Sequence, residues 1–120
     1  MTIESILADL VAIPSVSGRP NAAILERVRA ELARHGVESV TIPGPEGDRS
    51  NLFATIGPRD RPGYILSGHT DVVPTEGQVW ASDPFRLASD GERLWGRGTT
   101  DMKGFLACVL AMVPEFLAMP

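Results

Sequence analysis

The stretch Tyr64-Ile65-Leu66-Ser67-Gly68-His69-Thr70-Asp71 decides the fold. Its apolar triplet follows Pro62-Gly63, reads as a short buried strand, and runs straight into a glycine and a histidine. In open α/β sheets ligands bind beyond the carboxyl ends of strands, so His69 stands where a site is expected. The surrounding elements suit that architecture. Upstream, Ile3, Ile6, Leu7, Leu10 and Val11 follow the i, i+3, i+4, i+7, i+8 pattern of one apolar stripe. They predict a helix from Thr2 to Ala12, stopped by Pro14. A second helix is expected from Asn21 as N-cap, with Ile24, Leu25, Val28 and Leu32 inward and Gly36 at C′. The third runs from about Met102 to Phe116 and is so apolar that burial within something larger is expected. Strands are expected over Val37–Ile42 and Leu52–Ile56. Phe85–Ala88 and Arg93–Trp95 flank Ser89-Asp90-Gly91-Glu92 and suit a hairpin. Helices mixed with strands of this length give an α/β fold class, and no linker divides the chain.

Composition removes several functions. The 120 residues carry 15 acidic and 11 basic side chains, a net charge of −4 without a basic run, so nothing marks a nucleic-acid or anionic-membrane surface. With 43% apolar and 22% charged residues, the chain is not expected to be disordered. No apolar stretch approaches the roughly 20 residues that span a bilayer. The segment from Met1 to Leu10 carries Glu4 and Asp9 in place of a basic leader, so no signal peptide is expected. A single cysteine, Cys108, excludes an intrachain disulfide and suits a reducing compartment. Cys108 itself reads as a packing residue of the third helix. A cytoplasmic location is the expectation.

Two clusters carry candidate chemistry. In His69-Thr70-Asp71, one imidazole nitrogen could bind a metal while the carboxylate takes the proton on the other and fixes the tautomer. The plainer alternative is a structural histidine bonded to a turn aspartate. The second cluster, Gly96-Arg97-Gly98-Thr99-Thr100-Asp101-Met102-Lys103-Gly104, precedes the third helix, where Asp101 could simply be an N-cap. A phosphate loop is excluded on the residues. Asp101 stands where the dinucleotide fingerprint needs glycine, and Met102-Lys103-Gly104 breaks the Gly-Lys-Ser/Thr order. An aspartate there attracts a cation, so metal binding is the better functional reading.

Together the clusters resemble the dinuclear-zinc amidohydrolases, the family of acetylornithine deacetylase, succinyl-diaminopimelate desuccinylase, aminoacylases and glutamate-type carboxypeptidases. The resemblance covers nearly the whole chain. It starts at Leu10-Val11-Ala12-Ile13-Pro14-Ser15-Val16-Ser17-Gly18 and includes Asn51-Leu52-Phe53-Ala54 and Leu66 to Pro74. It then takes in Trp95-Gly96-Arg97-Gly98 and Asp101-Met102-Lys103-Gly104. Asn51 to Pro58, Gly77-Gln78-Val79-Trp80, Ser82-Asp83-Pro84-Phe85 and Lys103-Gly104-Phe105 favour the acetylornithine deacetylase branch, with the desuccinylase branch close.

The resemblance implies the N-terminal part of a zinc-exopeptidase-like catalytic domain, with a mixed sheet flanked by helices. It implies that His69 is a terminal ligand of one zinc and Asp71 the catalytic partner orienting its ring. Asp101 would bridge two Zn2+ ions, with Co2+ able to substitute, and the peptide after it would be cis. The implied reaction is hydrolysis of an N-acyl amino acid, N-acetylornithine to ornithine and acetate in the favoured branch, by a homodimer. That site also needs an adjacent Glu-Glu pair, a further carboxylate and a late histidine. The chain has no Glu pair, and only Glu115 as an acid after Gly104. His35, before Gly36, reads as a solvated helix-end residue. Residues 1–120 are therefore expected to lack the rest of the catalytic domain and the dimerisation or lid domain, and to be inactive alone. Trp80 and Trp95 read as loop residues packing on a core, and Lys103 as a tether for its loop.

Overall fold

The computed structural model describes residues 2–120. Its elements follow the apolar pattern closely at the N-terminus. Helix α1 spans Ile3–Ala12, buries Ile6, Leu7, Leu10 and Val11, and is capped by Thr2, whose Oγ1 accepts from Ser5 N at 3.1 Å. Helix α2 spans Ala22–Arg34, and Gly36 takes the positive φ of 72° that ends it. Asn21 starts α2 but makes no side-chain cap. Its amide instead bonds both main-chain groups of Ser50, donating to the oxygen at 2.8 Å and accepting from the nitrogen at 3.0 Å. It thus ties α2 to the strand that begins there.

Strands β1 (Ser39–Pro43) and β2 (Ser50–Ala54) pair antiparallel, with Thr41 opposite Leu52. The expected hairpin forms from β3 (Ala88–Ser89) and β4 (Leu94–Trp95). Asp90 closes its turn by accepting from the nitrogens of Glu92 and Arg93 at 2.9 and 2.7 Å. These bonds hold the Asp90 carboxyl below its ordinary pKa.

Two segments depart from expectation. The expected helix from Met102 to Phe116 is two helices, α3 (Gly104–Ala111) and α4 (Val113–Ala118). Pro114 is the cause: it has no N–H to give Leu110 and its ring crowds that carbonyl, so the chain bends at Met112. Only one face of α3 is buried, through Ala107 and Leu110 against α1; Phe105 and Cys108 lie on its outer, exposed face. Cys108 is accordingly not the packing residue expected. The second segment is Tyr64-Ile65-Leu66, which is extended but pairs with no strand among the described residues. Tyr64 is 100% and Ile65 85% exposed, so the triplet is not buried either. In place of one mixed sheet, the described residues form two separate antiparallel pairs and one parallel bridge, Val16 to Val72. The class is α/β, with the core between α1, α2 and α3.

Candidate metal centre

His69 and Asp71 lie beside Thr70 and Val72, whose main-chain groups are held by the loop after α1. Ser17 N donates to Val72 O and Val72 N to Ser15 O, both at 2.9 Å, while Ser15 Oγ donates to Thr70 O at 2.6 Å. Asp101 arrives from the other side, in the kinked turn Thr99–Lys103. Lys103 N closes that turn on Gly98 O at 2.8 Å. Its glycines are required by contact: a Cβ on Gly98 would stand 2.4 Å from Val72 Cγ1 at a φ of 86°, and one on Gly104 2.4 Å from Thr99 O. The Asp101–Met102 peptide is cis, as the resemblance implied. Met102 reaches back, and its sulfur accepts from His69 N at 3.3 Å.

The two segments meet at the imidazole. His69 Nε2 lies 2.9 Å from Asp101 Oδ1, and Nδ1 lies 3.0 Å from Asp71 Oδ1. Both neighbours are acceptors, so only the doubly protonated ring can donate to both. Partial burial opposes the imidazolium, but the bonds and charges of Asp101 and Asp71 outweigh it and hold the pKa of His69 above 6.5. Ser17 Oγ donates to Asp71 Oδ2 and, with the charge of His69, holds the Asp71 carboxyl below its ordinary value. His69, Asp71 and Asp101 line one open cavity of about 230 Å³ together with Ser17, Arg97 and Thr100. All three sequence-predicted site residues are therefore brought together.

An imidazole nitrogen and a carboxylate oxygen are donors that zinc takes, and they converge here on a single cavity. The Asp101 carboxylate that draws a proton to Nε2 equally suits a cation. The donor set fits zinc in kind, though among the described residues no three His, Cys, Asp or Glu side chains form a group that could hold a metal by themselves.

Lys103 is fully buried, and its ammonium donates to Leu10 O and Ile13 O, each at 2.8 Å. These carbonyls lie at the end of α1, where they also accept from Ile13 N at 3.3 Å and Ser15 N at 2.8 Å, so each takes a second donor. Burial pushes the amine down to about 8. The tether expected of Lys103 is thus a clamp on α1. Sequence reasoning missed Ser15 and Ser17, because they act across 55 and 54 residues and no local pattern connects them to Thr70 and Asp71. It also missed the cluster at Arg97, which donates to Gln78 Oε1 and lies 5.0 Å from the Trp80 ring centroid. Trp80 lines a second cavity with Trp95, beside the first.

Residues 65–120 match the model of peptidase family M20/M25/M40. The resemblance to that family is thus borne out over this segment. It is 38% identical over 108 residues to an acetylornithine deacetylase of Photorhabdus laumondii, covering 84% of this chain and 28% of the relative. A succinyl-diaminopimelate desuccinylase of Gluconobacter oxydans is 41% identical over 96 residues, covering 80% and 23%. Among solved structures, human carnosine dipeptidase 1 superposes with a TM-score of 0.74 at 27% identity, covering 97% of this chain and 28% of that one. The chain thus spans about a quarter of the length of these relatives. No helix among the described residues is long and apolar enough to cross a membrane.

Proposed function

We propose that the chain supplies part of the active site of a zinc-dependent hydrolase that cleaves the amide bond of an N-acyl amino acid. The observation that carries this reading is the 2.9 Å approach of His69 Nε2 to the Asp101 carboxylate, with Asp71 behind the ring. His69 and Asp101 would hold the metal, Asp101 as the bridge between two ions. Zinc bound there supplies a Lewis acid for the amide carbonyl and lowers the pKa of water toward about 7. Asp71 accepts the Nδ1 proton, keeps the ring oriented and leaves Nε2 turned to the cavity. Ser17 holds Asp71 in its charged form for that task.

The substrate we favour is N-acetylornithine, giving ornithine and acetate in arginine biosynthesis. The segments Asn51 to Pro58 and Ser82 to Phe85 support this choice, as does the deacetylase from Photorhabdus. N-succinyl-diaminopimelate is the second reading, supported by the desuccinylase relative at 41% identity. In this account residues 1–120 form the N-terminal part of a catalytic domain in a cytoplasmic homodimer. The other ligands, the general base and the dimerisation domain then belong to the remaining three quarters of a relative-length protein, which can also use Co2+. Assaying such a protein against both substrates, with and without chelator, tests the proposal. Chelator-sensitive hydrolysis of N-acetylornithine is expected; chelator-resistant hydrolysis, or none of either substrate, refutes it.

A further inference from the structure

The last turn of α1 and the loop after it touch both halves of the centre. On one side, Ser17 N and Ser15 O pair with Val72 at 2.9 Å, and Ser17 Oγ donates to the carboxylate of Asp71. The other oxygen of that carboxylate faces His69 Nδ1 at 3.0 Å. On the other side, Lys103 is the chain's only lysine and stands two residues after Asp101. Its buried ammonium is bonded to Leu10 and Ile13, the last turn of the same helix and the residue after it. Burying an ammonium is costly unless hydrogen bonds meet it, and these two carbonyls do. One short stretch, residues 10–17, therefore fixes His69 through Ser17 and Asp71, and fixes Asp101 through Lys103.

His69 and Asp101 are 32 residues apart and lie on a largely open surface, with side chains 47% and 82% exposed. Neither is packed in place by a core. We propose that Ser17 and Lys103 are positioning residues that set the spacing of His69 and Asp101 by anchoring both to residues 10–17, the last turn of α1 and the loop after it. The proposal rests on reading His69 and Asp101 as metal ligands. Residues that orient ligands matter because removing them typically weakens metal binding about 10- to 100-fold.

The test uses the intact chain and zinc alone as probe. The chain has two histidines, so the ring signals of His69 and His35 are separable by NMR during a Zn2+ titration, with His35 reporting non-specific binding. In the wild type, His69 should respond at lower zinc than His35. Ser17→Ala and Lys103→Met should each raise the His69 half-point about tenfold or more, and Ser17→Thr should restore it to within about threefold. The half-point of His35 should not move. Ser17 is exposed, so Ser17→Ala keeps the fold and decides the matter if Lys103→Met unfolds. An unchanged half-point in folded Ser17→Ala, or an equal loss in Ser17→Thr, overturns the proposal while leaving the ligand reading intact. A wild-type His69 that ignores zinc overturns the ligand reading and this proposal with it.

Discussion

His69 is held between two carboxylates, and its proton reports on both. Its pKa in the folded chain is raised above 6.5, so the stability it contributes is fully present below that value and is lost as pH rises through the folded pKa. Asp101→Asn removes one of the two charges and should lower the midpoint of the His69 NMR titration; a midpoint unmoved by the substitution would show that the 2.9 Å contact is not formed in solution. The glycines of the turn make a second, independent test. Gly104→Ala places a methyl 2.4 Å from the main-chain oxygen of Thr99, which cannot swing aside, and should cost about 1–3 kcal/mol in denaturant unfolding. Gly63→Ala, with open space around it, should cost far less.

Helix α2 shows how the elements are fastened. Glu31 is 1% exposed on its inner face, and its carboxylate accepts from Arg27 at 3.2 Å and from Arg34 at 3.0 Å. Burial works to raise the pKa of Glu31, but Arg34 and Arg27 outweigh it and hold the group below 4.5. Its contribution is therefore present above the unfolded value and lost as pH falls through the folded one. Glu31→Gln should lower stability at pH 7 by about 1–3 kcal/mol, and by less near pH 3; an equal loss at both pH values would contradict the ion pairing. Much of this architecture was legible in local pattern. The stripe of α1, Gly36 after α2 and the Asp90 turn each depend on neighbours within a few residues. Pro114 divides α3 from α4, a break that the expected helix from Met102 to Phe116 ran through. Tyr64-Ile65-Leu66 was not legible, because a strand's burial depends on what pairs with it, which its own side chains do not encode. The candidate site divides the same way. His69, Asp71 and Asp101 stood out by motif, whereas Ser17 and the α1 clamp required the three-dimensional register.

Taken as one body, the protein has a small core and a broad apolar exterior. Val40, Ile42, Phe53, Tyr64, Ile65 and Phe105 are all exposed. With a quarter of its relatives' length and two ligand donors, the 120-residue chain should bind zinc weakly and hydrolyse no measurable N-acetylornithine. Robust turnover by it alone would refute the assignment of the remaining ligands and base to other residues. The most direct trial is His69→Ala in a protein of relative length that carries this segment, with bound zinc and N-acetylornithine hydrolysis measured side by side. Loss of zinc together with a fall in hydrolysis of about 100-fold or more is predicted. Unchanged zinc content and an unchanged rate would contradict it.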